Sequence, residues 1–246
     1  MTIEPVPASM GPGESGDLRV ADKAKEQAIR RAIVEVYVEL ARLGMNAVSS
    51  GNVSVRFAKG MLITPTGCTA EGLRPADIVS AGFDGSSKAR LRPSSEWAMH
   101  AEIYQRVADA NCVVHTHADN CVALSCLRRP LPAFHYMIQV FGGSNVPCVD
   151  YFPFGTRELG RAAGAALGNR KACLMANHGM ISRGSTIRAA FDAAVLLETM
   201  CRQYLTASAA GDPVLLNATD MAIVARQFED YGRQPRSPVK RRWSLP

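Results

Sequence analysis

The stretch Cys112-Val113-Val114-His115-Thr116-His117 decides the architecture. It alternates, and its centre is β-branched, so it reads as a strand carrying polar side chains at one end. A helix precedes it directly. Pro93-Ser94-Ser95 opens that helix, with serine as N-cap, Glu96 in the positive first turn and Ile103 and Val107 on one face up to about Asp109. A second apolar strand is expected from Lys171 to Ala176, ending at Asn177-His178-Gly179. Upstream, Ile29, Ala32, Ile33, Val36, Tyr37, Leu40 and Leu43 mark an amphipathic helix from roughly Asp22 to Leu43, stopped by Gly44. Short strands follow at Val53 to Phe57, Met61 to Ile63 and Ile78 to Phe83, and further helices at Asp119 to Cys126, Arg157 to Leu167, Ser185 to Ala207 and Ala218 to Tyr231. Helices and short strands alternate irregularly. The fold expected is therefore α/β: a single layered domain with a central mixed, largely antiparallel β-sheet flanked by helices.

Composition agrees with one globular unit. The chain has 246 residues, 47% of them hydrophobic, enough for a sizeable core. It contains no run approaching the ~18 apolar residues of a membrane span. Its first residues are rich in Pro, Gly and Ser and carry no basic-then-apolar leader, so a cytoplasmic protein with no membrane partner is expected. Seven cysteines without a CxxC pair read as free thiols rather than as a disulfide framework or a thiolate metal site. The net charge of +6 owes five positive charges to Arg233, Arg236, Lys240, Arg241 and Arg242, which leaves the rest at about +1. Such a proline-containing tail reads as a solvated extension, with a polyanion contact as the other reading, and no nucleic-acid partner is expected. The organisation expected is a flexible N-terminal extension over 1–19, the folded domain over 20–232 and a basic tail over 233–246.

Two histidines two apart on a strand leave the same face about 6.5 to 7 Å apart, twice the strand rise, and can converge on one ion. His115 and His117 form such a pair, and His178, at the end of another strand, could join them. Three neutral imidazoles leave a fourth position open, the pattern of a catalytic zinc site. Each signal has a plainer reading. The His-x-His pair could be a surface histidine beside a packed one, and Glu96 could merely complement a helix dipole. Beside Glu96, however, stand Ser94 and Ser95, whose hydroxyls and amides at a helix N-terminus offer a phosphate cradle. His100, four residues after Glu96 on one helical face, reads as a histidine that is packed or that supports the ligands from behind rather than as a ligand, and His135 as packing in a loop or at an interface.

These residues lie in ordered motifs: Gly51-Asn52-Val53-Ser54-Val55-Arg56, Leu62-Ile63-Thr64-Pro65-Thr66-Gly67, Pro93-Ser94-Ser95-Glu96-Trp97, Val114-His115-Thr116-His117, His135-Tyr136-Met137-Ile138, Phe154-Gly155-Thr156-Arg157-Glu158-Leu159 and Asn177-His178-Gly179. In them the chain resembles the class II aldolase/adducin family from about Glu26 to Gly232, most closely its members that act on L-fuculose 1-phosphate. The resemblance implies that His115, His117 and His178 ligate one Zn2+ per subunit and that Glu96 is the acid/base, also near the metal. It implies that Gly51, Asn52, Thr66, Gly67, Ser94 and Ser95 cradle a substrate phosphate. It implies that Tyr136 reaches a neighbouring subunit's site as a proton donor, that Tyr231 helps close the site, and that the protein is a homotetramer with sites between subunits.

The activity so implied is retro-aldol cleavage of a phosphorylated sugar, a ketose 1-phosphate, to dihydroxyacetone phosphate and a small aldehyde such as L-lactaldehyde. Alternatives within the family are aldolases for 5-deoxy- or 5-methylthio-ribulose 1-phosphate and an L-ribulose-5-phosphate 4-epimerase-like enzyme, in which the serine pair is followed by Asp where this chain has Glu96. A non-enzymatic reading, an adducin-type assembly module, lacks the metal histidines that this chain retains.

Overall fold

The computed structural model describes residues 12–231, with side chains from residue 22 onward. Its helices are α1 (Pro12–Arg42), α2 (Trp97–Arg106), α3 (Asp119–Ser125), α4 (Arg157–Ala166), α5 (Ile187–Ala210) and α6 (Ala218–Asp230). Its strands are β1 (Asn52–Phe57), β2 (Gly60–Ile63), β3 (Val79–Gly82), β4 (Cys112–Thr116), β5 (Cys148–Val149), β6 (Ala172–Met175) and β7 (Gly179–Gly184). One sheet holds all seven in the order β3-β2-β1-β4-β7-β6-β5. Every neighbouring pair is antiparallel except β5 with β6. The mixed, largely antiparallel sheet expected from the sequence is the one observed.

Strand alternation sorts the core into two layers, because successive side chains leave opposite faces. Val53, Val55, Val114, Leu174 and Met180 pack with Ile33, Tyr37 and Leu40 of α1 and with Leu197 and Met200 of α5. Val113, Cys173, Met175 and Ile181 pack on the other side with Met99, Ile103 and Tyr104 of α2 and with Leu159 and Ala163 of α4. A central sheet covered on both faces needs apolar residues at nearly every position, which explains why β4 is buried throughout.

Several boundaries depart from expectation. Helix α1 begins at Pro12 rather than near Asp22, so it enters the stretch read as an N-terminal extension. Residues 1–11, Gly232 and the basic tail over 233–246 lie outside the described residues. Helix α2 starts at Trp97 with Glu96 itself at the N-cap, not a serine. The cause is a turn just before it: the Trp97 amide donates to the Ser94 carbonyl at 3.0 Å, and the Glu96 amide to Ser94 Oγ at 3.2 Å. Strands β5 and β7 were not anticipated. Among the described residues, no helix is long and apolar enough to cross a membrane. All seven cysteines are free.

Candidate metal centre

His115 shares the parity of Val113, so its ring leaves β4 on the α2 side of the sheet, where it is wholly buried. Its backbone pairs with Asn52 of β1 and Ile181 of β7, which places it between the two central neighbours. Its Nδ1–H donates to the Met180 carbonyl at 2.8 Å, leaving Nε2 as the bare nitrogen. His117 follows just past the end of β4, with its Nε2 3.0 Å from that of His115. His178 sits in the tight turn joining β6 to β7, where Met175 pairs with Gly179. Asn177 takes a left-handed φ of 53° there, a conformation asparagine tolerates better than most residues. The three imidazole centroids lie 4.8 to 4.9 Å apart with edge-on rings.

Glu96, at the start of α2, completes the cluster. Its Oε2 lies 3.0 Å from His115 Nε2, and its Oε1 lies 3.3 Å from His178 Nε2. Burial opposes ionisation of Glu96, but the rings of His115 and His178 and a hydrogen bond from Asn52 hold its pKa well below the usual carboxylate range. Burial likewise opposes protonation of His115, yet the Glu96 carboxylate raises its pKa above the ordinary value. His117 and His178 are pushed down to about 4, chiefly by burial and next by the neighbouring His115, so they stay neutral, the form that ligates metals.

The four ligand atoms lie within 4.8 Å of one another. Three of the separations, His115 to His117 and His115 and His178 each to one oxygen of the Glu96 carboxylate, are 3.0 to 3.3 Å, short enough for the groups to share one ion with bonds of about 2.0 Å. Glu96 Oε1 is buried without a hydrogen-bond partner, which an acceptor facing imidazole lone pairs tolerates if a cation lies between them. Three imidazole nitrogens and one carboxylate oxygen suit a divalent ion such as zinc. The residues present therefore fit a metal.

The cleft above this cluster is lined by Gly51, Asn52, Thr66, Gly67, Ser94 and Ser95, together with Glu96, His117 and His178. Two loops are stitched together to form its wall. The Ser94 amide donates to the Thr64 carbonyl at 3.0 Å, and the Thr66 amide to the Arg92 carbonyl at 3.2 Å. Gly51 brings the third loop in, with a left-handed φ of 73° and so close an approach that a Cβ would lie 2.8 Å from the His115 carbonyl oxygen.

Three expected site residues do not line this cleft: His115, which is wholly buried behind it, and Tyr136 and Tyr231. Both tyrosines are exposed, and they flank Phe228, with ring centroids 6.4 Å from Tyr136 and 5.7 Å from Tyr231. His135 accepts from the Met137 amide and stacks on Tyr136. Ser49, Ser50, Pro65 and Phe154 also line the cleft, though none was named as a site residue; Pro65 and Phe154 stood within the quoted motifs and Ser49 and Ser50 outside them. Their proximity to Gly51, Thr66 and Gly155 was the available signal. Asn52, besides lining the cleft, donates through Nδ2 to Glu96 Oε2 at 3.0 Å. His100 is fully buried and meets Asn52 rather than the metal cluster, as its reading as a packed histidine anticipated.

Comparison with known proteins agrees with this geometry. The profile of the Class II Aldolase and Adducin N-terminal domain matches residues 31–205. The chain is 44% identical over 205 residues to the L-fuculose phosphate aldolase of Escherichia coli (strain K12), covering 83% of this chain and 95% of that relative. It is 42% identical over 211 residues to the 5-methylthioribulose-1-phosphate/5-deoxyribulose-1-phosphate aldolase of Rhodospirillum rubrum, covering 86% and 96%. A solved L-fuculose 1-phosphate aldolase superimposes with a TM-score of 0.78 at 33% identity, covering 82% of this chain and 96% of that one. With its sheet, cleft and Glu/His cluster, the chain belongs to the Class II Aldolase and Adducin N-terminal domain family, as a class II aldolase and hence a lyase.

Proposed function

We propose that the protein uses zinc to cleave a ketose 1-phosphate, similar to L-fuculose 1-phosphate, into dihydroxyacetone phosphate and a small aldehyde such as L-lactaldehyde. The observation that carries this reading is the buried Glu96, His115, His117 and His178 group opening onto a cleft lined by Gly51, Asn52, Thr66, Gly67, Ser94 and Ser95. His115, His117 and His178 would hold the ion, with Glu96 beside it in the resting site. A divalent ion held there would supply Lewis acidity, worth several kcal/mol against charge developing on the ketone oxygen. Hydroxyls and backbone amides of the cleft loops grip the phosphate and fix the reacting end over the cluster.

In the condensation direction the Glu96 carboxylate removes the proton from C3 of dihydroxyacetone phosphate. Tyr136 of a second copy gives a proton to the forming C4 oxygen, and cleavage runs through the same transfers in reverse. Tyr136 and Tyr231 are exposed on one aromatic patch away from their own cleft, which suits residues that serve a neighbouring copy in a homotetramer. A second reading, cleavage of 5-methylthio- or 5-deoxyribulose 1-phosphate, is favoured by the Rhodospirillum rubrum relative at 42% identity. The two differ only at the aldehyde end.

The test is to offer the zinc-loaded protein L-fuculose, 5-deoxyribulose and 5-methylthioribulose 1-phosphates and follow dihydroxyacetone phosphate release. Fastest turnover of L-fuculose 1-phosphate is expected. Preference for a ribulose derivative would replace the first reading with the second, and release from none of them would refute both.

A further inference from the structure

Beneath the metal cluster a buried chain of hydrogen bonds runs from Glu96 through Asn52 to His100, Ser54 and Tyr104, the last three of which have no part in the aldol chemistry above. Glu96, His100 and Tyr104 stand at i, i+4 and i+8 around the start of α2, on the face toward β1. Asn52 and Ser54 stand at i and i+2 on β1, on the face opposite Val53 and Val55. Four helical residues advance about 6.0 Å and two strand residues about 6.7 Å, so the two sets interleave. Asn52 Nδ2 meets Glu96 Oε2 at 3.0 Å, and Asn52 Oδ1 meets His100 Nε2. His100 Nδ1 meets Ser54 Oγ at 2.6 Å, and Ser54 Oγ meets the Tyr104 hydroxyl at 2.7 Å. Asn52, Ser54, His100 and Tyr104 are all buried.

Valence dictates the direction of every bond in this chain. An ionised Glu96 can only accept, so the amide nitrogen of Asn52 must face it. Asn52 Oδ1 then faces His100 and can only accept, which requires a proton on His100 Nε2. Burial, and next the nearby His115, push the His100 pKa down to about 3, so the ring is neutral and Nδ1 is bare. Ser54 must donate to Nδ1, and its oxygen in turn accepts the Tyr104 proton, which burial keeps in place by raising the tyrosine pKa. The opposite tautomer would present a bare Nε2 to Asn52. The amide would then turn over and set its oxygen against the carboxylate.

We infer that His100, held in one tautomer by Ser54 and Tyr104, is a positioning residue that locks the Asn52 amide and thereby aims the Glu96 carboxylate at the reacting carbon. This rests on the aldolase reading above for its kinetic consequence, though not for its hydrogen-bond polarity. Groups that hydrogen-bond a ligand directly, as Asn52 does Glu96, commonly change activity about 10- to 100-fold when lost, and His100 acts through that bond.

Neutron diffraction from deuterated crystals of the zinc-loaded protein reads the polarity directly. A deuteron on His100 Nε2 and none on Nδ1 is expected; a deuteron on Nδ1 overturns the inference. In parallel, His100→Leu should lower kcat about 10- to 100-fold with KM within about twofold and zinc content unchanged. His100→Gln, which restores an N–H toward Asn52 Oδ1, should recover kcat to within several-fold of the wild type. A Leu variant as fast as the wild type, or a Gln variant as slow as Leu, overturns the positioning role. Should the wild type cleave no ketose 1-phosphate at all, the functional reading fails, while the deuteron position still decides the inference.

Discussion

Glu96 holds two positions at once: it caps α2 without using its side chain for the cap, and its carboxylate is buried among imidazoles. A carboxylate that complemented only the helix dipole would turn to solvent. Substituting Glu96→Gln leaves the three imidazoles in place and removes the group proposed to move the C3 proton. Zinc content should stay at the wild-type level while turnover falls roughly 10²- to 10⁴-fold. Paired metal analysis and kinetics check this, and undiminished turnover would take Glu96 out of the mechanism. His115, His117 and His178 were legible because strand parity and a strand-end turn are local properties. The bond from Asn52 to Glu96 was not, because it joins residues 44 apart and depends on how α2 settles against β1. The same holds for the Ser54–His100 contact, 46 residues apart.

At the scale of elements, the cleft depends on how closely the loop before β1 approaches β4. A Cβ at Gly51 would lie 2.8 Å from the His115 carbonyl and nearer still to the Asn46 side chain, and the residue also needs its positive φ. Gly51→Ala should therefore cost about 1–3 kcal/mol of stability and weaken zinc binding by moving β4 at His115. Denaturant unfolding and zinc titration measure the two effects. Wild-type values for both would show that the loop does not brace the site. Long periodic helices such as α5 were readable, whereas β7 was not. Its Ser182 and Arg183 break the apolar pattern yet are buried, because backbone carbonyls and, for Arg183, the exposed Asp109 carboxylate take up their donors. Ser182 Oγ donates to the Ala190 carbonyl at 2.8 Å; Arg183 reaches the Leu167 and Arg170 carbonyls and Asp109. Polar residues that satisfy themselves inside the fold mislead any reading that equates polar with exposed. Strand β5, only two residues long, carries too little pattern to detect.

Across the whole molecule, the metal cluster joins parts of the chain that the fold alone brings together: the end of β4, the β6–β7 turn and the start of α2. Layered α/β character and the mixed sheet followed from the alternation of elements, but strand order did not, since pairing β4 between β1 and β7 is decided by packing on both faces. The exposed Tyr136 and Tyr231, with the half-buried Phe228 between them, would give the proposed tetramer a surface through which one copy completes another's site. All of this depends on one ion held by three imidazoles beside a carboxylate. The most direct measurement is turnover of a ketose 1-phosphate by protein stripped with a chelator and then titrated with zinc. The account predicts no activity in the stripped protein and full recovery saturating at one zinc per chain; a stripped protein that turns over at the original rate would contradict it.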